Sequence, residues 1–209
     1  MTRASLQLAL DFPAALGVLP RVHRWVDIVE VGTPLLKRFG LSVIATVKEA
    51  APHALVLADS KTVDGGRAES AMLFDAGADI VTVLSCASAA TFVAVGEEAE
   101  ARGKSVLLDT VTESDPLRAA VLDYPVAFRY FALHTATDSR FAGDLHATDS
   151  FAVARKVQTS MSLVLAGGIN ADNFEQAAQL QPGVIVVGRA ITAADDPGAV
   201  AEWMHGVLA

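Results

Sequence analysis

At 209 residues, with 52% hydrophobic and 19% charged residues, the chain has ample material for a large core, which excludes a disordered protein. A net charge of −8 argues against nucleic acid as a partner, because phosphates would be repelled. No apolar run approaches the ~18 residues of a membrane span, and Met1–Ser5 leads straight into a strand pattern without the region order of a signal peptide, so a cytoplasmic protein with no membrane association is expected.

Short apolar runs alternate with helix-compatible stretches from end to end. Leu6–Asp11 reads as a first strand and Pro13–Trp25 as a helix with Pro in its first turn. Asp27–Val31 is the second strand, followed by helical segments over Pro34–Phe39 and Leu41–Ala50. Leu55–Ser60 is the third, with a helix over Gly66–Ala76, and Asp79–Leu84 the fourth, with a helix over Ala87–Arg102. Cys86, between them, cannot form an intramolecular disulfide and is expected to be a small buried hydrophobe. Ser105–Asp109 is the fifth strand, with a helix near Pro116–Leu122. Phe128–His134 is the sixth; the polar stretch Thr135–Ser150 after it is expected to be an irregular active-site loop, with a helix over Asp149–Gln158. Ser162–Ala166 and Val184–Val187 are the seventh and eighth, with helices over Ala171–Leu180 and Pro197–Leu208.

Eight strands apolar on both faces, each followed by a helix, indicate a parallel sheet covered on its outside. Their number suggests closure into one (β/α)₈ TIM barrel, an α/β fold, as a single domain over residues 1–209. An open flavodoxin-like or Rossmann sheet is the competing architecture, but no Gly-x-Gly-x-x-Gly follows the first strand.

Barrel chemistry lies at the C-terminal ends of the strands. Those ends carry Asp11, Glu30, Asp59 with Lys61 and Asp64, Asp109, His134, Gly167-Gly168 and Gly188-Arg189. In Asp59-Ser60-Lys61-Thr62-Val63-Asp64 an ammonium lies between two carboxylates, a group suited to stabilising an anionic intermediate and moving one proton. A solvated loop with a surface ion pair is the plainer alternative. Glu30 inside an apolar strand is a poor helix cap; with Asp59 on the neighbouring strand it suits Mg²⁺, or Mn²⁺, whereas the ligand spacing for zinc is lacking. A buried Glu30–Lys61 ion pair without metal competes with that reading. Asp11, just before Phe12-Pro13, also fits a helix cap. His134 shares the rim with these groups, which favours acid–base work near neutral pH; His23, His53, His146 and His205 are expected to be solvated. Gly167, Gly168 and Gly188 let backbone N–H groups approach a phosphate, and Arg189 adds a bidentate contact; tight turns alone also need glycine.

Leu6-Gln7-Leu8-Ala9-Leu10-Asp11, Val29-Glu30-Val31-Gly32-Thr33-Pro34, Asp59-x-Lys61-x-x-Asp64, Gly77-Ala78-Asp79-Ile80-Val81, His134-Thr135 and Ala166-Gly167-Gly168-Ile169 together resemble the orotidine 5′-phosphate decarboxylase suprafamily, almost end to end. The Glu-x-Gly-Thr-Pro and His-Thr segments resemble the branch of the 3-hexulose-6-phosphate synthases and 3-keto-L-gulonate-6-phosphate decarboxylases. Thr137, where the decarboxylases typically carry Arg, favours the synthases; Ser85, Ala136 and Arg189 depart from the usual synthase pattern. The resemblance implies a Mg²⁺-dependent aldol condensation of formaldehyde with ribulose 5-phosphate through a cis-enediolate. It implies proton transfer by His134, charge stabilisation by Lys61, and Asp11 and Asp64 orienting substrate hydroxyls and Lys61. It also implies a homodimer in which Asp64 reaches the partner's active site. Decarboxylation of a 3-keto sugar-acid phosphate on the same site is the alternative reaction, and a non-catalytic sugar-phosphate-binding barrel the alternative of another class.

Overall fold

The structure is a computed structural model that describes residues 3–113, 115–142 and 147–209. Parallel strands close into a barrel in chain order: β1 (Ser5–Leu10), β2 (Ile28–Val31), β3 (Leu55–Thr62), β4 (Ile80–Leu84), β5 (Ser105–Asp109), β6 (Phe128–His134), β7 (Ser162–Ala166) and β8 (Val184–Val187). This is the closed (β/α)₈ architecture expected from the strand count. β8 pairs with β1 through Ser5–Leu8, which seals the sheet.

The connecting helices form the outer layer. After β1 the single helix expected over residues 13–25 is broken into α1 (Pro13–Leu16), α2 (Leu19–Val22) and a 3₁₀ turn (His23–Trp25), because Pro20 cannot continue a helix begun before Gly17. Then come α3 (Thr33–Phe39), α4 (Ser42–Ala50), α5 (Gly66–Asp75), α6 (Ala89–Ala101) and α7 (Pro116–Ala120). The stretch expected to be irregular after β6 instead carries α8 (Thr137–Ala142), and α9 (Ala147–Ala154) is the helix expected over residues 149–158, starting and ending earlier. Last are α10 (Phe174–Ala178), a short α11 (Arg189–Thr192) that the sequence pattern did not suggest, and α12 (Pro197–Val207). Local chemistry starts the longer helices: Ser88 accepts the Thr91 N–H ahead of α6, and Asp196 accepts those of Gly198 and Ala199 ahead of α12, with Pro197 at the first position. No described helix is long and apolar enough to cross a membrane.

Two apolar layers follow from the strands' period of two. Leu6, Leu8, Leu10, Val29, Val31, Val56, Val81, Val106 and Leu108 point outward into the core shared with the helices. Ile28, Leu57, Ile80, Leu107, Ala132, Val164 and Val184 point inward and plug the barrel. At the N-terminal end, Asp27 accepts the Leu6 N–H and Asp79 the Val56 N–H, each at 2.9 Å, which fixes neighbouring strand starts.

Candidate active site

The alternation that puts Ile28, Leu57, Ile80, Leu107 and Ala132 inside the barrel also decides what lies above them. Two residues further along the same strands stand Glu30, Asp59, Thr82, Asp109 and His134. They form a polar layer at the C-terminal ends of β2 to β6, directly on the apolar plug.

Asp109 is the hub of this layer, although the sequence reading placed it only at a strand end and gave it no role. It is 2% exposed. Its Oδ2 accepts from Lys61 Nζ at 3.0 Å, and Nδ1 of His134 lies 3.0 and 3.1 Å from its two oxygens. Burial pushes the Asp109 carboxyl up, but His134 and Lys61 more than reverse this and hold it well below the usual carboxylate range. An ionised carboxylate only accepts, so His134 Nδ1 carries a proton and donates it to Asp109. That leaves Nε2 for whatever occupies the site. Burial pulls the imidazole pKa down and Asp109 outweighs it, so the net direction is upward.

Lys61 Nζ lies 2.9 Å from each oxygen of Asp59. Burial opposes its charge, while Asp59 and Asp109 outweigh burial and hold the ammonium charged. Lys61 has a φ of 51°, the left-handed region, at a position where the β3–β4 register slips between Ala58 and Thr62. A non-glycine residue there costs about 1–3 kcal/mol. Thr82 underlies the distortion: Lys61 N donates to Thr82 Oγ1 at 2.8 Å, and that hydroxyl donates to Asp59 Oδ1 at 3.1 Å. Thr33 Oγ1 lies 2.9 Å from Asp59 Oδ2. A threonine in a strand or after one is ordinary, so neither was given a role from the sequence, although Thr33 falls in the Glu-x-Gly-Thr-Pro segment.

Several expected groupings change. Asp109, not Asp64, is the second carboxylate on Lys61; Asp64 is exposed beyond the end of β3 and makes no described contact within its own chain. The Glu30–Lys61 ion pair does not form, because Lys61 is engaged by Asp59 and Asp109 while Glu30 accepts from Gln7 Nε2 at 2.6 Å. Asp11 lies within reach of the charges of Asp59, Lys61 and His134 and does not cap α1, whose N-cap is Phe12. Burial first, and then the charge of Asp59, raise the Asp11 carboxyl, against the opposing fields of Lys61, His134 and Arg189. Cys86 is exposed in the turn after β4 rather than buried. His205 is not a solvated bystander: its Nδ1 lies 2.9 Å from the Trp25 carbonyl and its ring packs on Trp25. His146 lies outside the described residues.

The glycines after β7 and β8 differ in character. Gly167 and Gly168 have φ of 92° and 79°, and a Cβ on Gly167 would sit 2.3 Å from the Thr135 carbonyl oxygen. That turn needs glycine for its own packing. Gly188 has no positive φ, and a Cβ there would meet only ordinary contacts with Ala9 at 3.6 Å and Asp11 Oδ2 at 3.9 Å. Arg189 follows at the start of α11, close enough for its charge to act on Asp11.

With the barrel and its polar layer established, comparison with known proteins places the chain. The sequence model of the orotidine 5′-phosphate decarboxylase / HUMPS family matches residues 4–204. The chain belongs to this family. Within the family it is 34% identical to a Bacillus subtilis protein named 3-hexulose-6-phosphate synthase, over 97% of this chain and 98% of the relative. The solved 3-hexulose-6-phosphate synthase of Salmonella typhimurium is 40% identical, covers 98% of both chains and superposes with a TM-score of 0.91. A 3-keto-L-gulonate-6-phosphate decarboxylase from Vibrio cholerae is 26% identical over 99% of this chain and 98% of its own, with a TM-score of 0.82. The family resemblance of the quoted motifs is therefore borne out.

The residues that could hold a cation in this family member are Glu30 and Asp59, on adjacent strands of the same lumen. Burial first, and then the charge of Asp59, push Glu30 up to about 8, so its ionised form is costly there unless a nearby cation compensates it. All the donors are oxygens, which fits a hard divalent ion. Among the described residues no group of three or more His, Cys, Asp or Glu could hold a metal by itself. A cation on Glu30 and Asp59 would therefore complete its shell with substrate and water oxygens, in the style of Mg²⁺.

Proposed function

We propose that this family member is a 3-hexulose-6-phosphate synthase, a carbon–carbon lyase that joins formaldehyde to ribulose 5-phosphate in a reversible aldol condensation. The observation that carries the reading is the 34% identity, over nearly the full length of both chains, to a protein named for that activity. The polar layer supplies groups suited to the steps. His134 Nε2, with Nδ1 committed to Asp109, takes the C1 proton of ribulose 5-phosphate. Lys61, held charged by Asp59 and Asp109, stabilises the negative charge of the resulting cis-enediolate. C1 of the enediolate then attacks the formaldehyde carbon, and the new alkoxide takes up a proton. The former C2 ketone becomes C3 of the hexulose 6-phosphate. Asp11 orients substrate hydroxyls, and Gly167, Gly168, Gly188 and Arg189 receive the phosphate at the β7 and β8 ends. Mg²⁺ or Mn²⁺ on Glu30 and Asp59 supplies Lewis-acid polarisation of the ketone and adjacent hydroxyl when bound. Asp64, exposed in the single chain, acts across a homodimer interface on the partner's site.

The test is formaldehyde consumption with ribulose 5-phosphate and Mg²⁺, repeated in excess EDTA and with Asp59→Ala. Metal-dependent consumption that Asp59→Ala abolishes supports the reading. Full activity in EDTA, or unchanged turnover after Asp59→Ala, overturns the metal chemistry. CO₂ release from 3-keto-L-gulonate 6-phosphate without formaldehyde uptake would transfer the site to the decarboxylase reaction. Binding of ribulose 5-phosphate without either turnover would make it a non-catalytic barrel.

A further inference from the structure

Gln7 stands where β1 is expected to send an apolar side chain into the barrel. It pairs in register with Ile28, level with the plug formed by Ile28, Leu57, Ile80, Leu107, Ala132, Val164 and Val184, and it is 2% exposed. Its Nε2 donates to Glu30 Oε2 at 2.6 Å, while its Oε1 is buried with no hydrogen-bond partner. An unsatisfied buried acceptor destabilises a fold, and a leucine or methionine of similar volume would remove it. Packing therefore does not explain the amide.

Its contact with Glu30 does. Ionised, as binding a cation requires, Glu30 only accepts, so the amide turns its NH₂ toward it, and this sends Oε1 to the apolar side where no donor exists. The orphaned oxygen is the consequence of holding Glu30. Among the described residues this is the only hydrogen bond made by the Glu30 side chain, whereas Asp59 is held by Thr33, Thr82 and Lys61. With Oε2 accepting from Gln7, the Glu30 carboxylate is held in one orientation. We propose that Gln7 is a positioning residue for the divalent cation, fixing the orientation in which the Glu30 carboxylate meets it beside Asp59. The inference rests on the reading that Glu30 and Asp59 hold that cation.

The experiment titrates the full-length protein with Mn²⁺, without substrate, following free Mn²⁺ by electron paramagnetic resonance. Wild type, Gln7→Met, Gln7→Asn and Glu30→Gln are compared, with inorganic phosphate affinity and urea unfolding measured on each. Gln7→Met should weaken Mn²⁺ binding about 10–100-fold, with phosphate affinity unchanged and a urea midpoint no lower than wild type. Gln7→Asn, polar but one methylene too short to reach Glu30, should weaken Mn²⁺ similarly. Mn²⁺ affinity unchanged in both Gln7 variants, with Glu30→Gln impaired, overturns the inference and leaves the cation site standing. Equal binding by wild type and Glu30→Gln overturns the cation site itself. Loss of phosphate affinity and stability together in Gln7→Met would also overturn the inference, since Gln7 would then serve packing.

Discussion

His134 and Asp109 face each other through Nδ1, 3.0 Å from one carboxylate oxygen and 3.1 Å from the other. The pair fixes the imidazole's tautomer and raises its pKa against the pull of burial. If neutral Nε2 is the base, activity falls on the acid side as His134 becomes protonated, and the midpoint lies above the ordinary histidine value of about 6.5. Replacing Asp109 by Asn removes the charge that raises it. The acid limb of kcat/KM should therefore move to lower pH in Asp109→Asn, measured at saturating Mg²⁺. His134→Gln should lower kcat about 10²–10⁴-fold. An acid limb that does not move in Asp109→Asn would show that another group titrates.

The same pair should shape stability against pH. Asp109 is lowered in the folded protein, so its contribution is present above the unfolded value of about 3.9 and is lost as pH falls through its folded value. His134 is raised, so its contribution is full below about 6.5 and lost as pH rises through its folded value. Urea unfolding should therefore show the largest contribution between these limits. Asp109→Asn leaves Lys61 and His134 facing an uncharged group, and near pH 5.5 should cost about 3–5 kcal/mol. A loss that stays constant from pH 3 to 8 would mean the pair contributes by shape alone.

Thr82→Val tests whether the distortion at Lys61 depends on one hydroxyl. Valine keeps the volume but removes the acceptor for Lys61 N–H and the donor to Asp59. An unsatisfied buried donor costs about 1–3 kcal/mol. Turnover should fall by more than phosphate affinity changes, because the Lys61 ammonium loses its placement while the β7 and β8 loops are untouched. Wild-type turnover in Thr82→Val would show that the bulge is held by the strands alone.

The barrel was legible because each strand is a compact apolar run and each inward position repeats every second residue. Glu30 and His134 stood out by the same logic, as charged or titratable residues on a buried face. Asp109 was visible at the end of β5, yet its position between Lys61 and His134 depends on strand neighbours 48 and 25 residues away in sequence. Gln7 was missed although Leu6-Gln7-Leu8 is the kind of interruption that alternation exposes; a lone amide in a strand was read through. α8 was hidden because Thr137, Asp138 and Ser139 at its start leave little apolar periodicity, whereas α9 falls on the helix expected over residues 149–158. Lys61 was placed beyond its strand, since no local rule foretells a left-handed lysine inside one.

Two glycines separate the phosphate reading of the β7 and β8 ends from a plain turn. Gly167→Ala places a methyl 2.3 Å from the Thr135 carbonyl oxygen on a backbone with a φ of 92°. It should lose more than about 1 kcal/mol of stability whatever the ligand. Gly188→Ala meets nothing nearer than 3.6 Å, and its methyl would approach Asp11 Oδ2 at 3.9 Å, beside the proposed phosphate site. The Gly188 φ of −108° and ψ of −101° are sparsely open to a residue with a Cβ, so the variant's unfolding free energy should fall by about 1–3 kcal/mol without loss of the fold. Its KM for ribulose 5-phosphate should rise roughly tenfold, the equivalent of ~1.4 kcal/mol of lost binding, because the backbone N–H groups beside it are screened. An unchanged KM in a folded Gly188→Ala would remove Gly188 from the phosphate site and leave its glycine serving only the entry into α11.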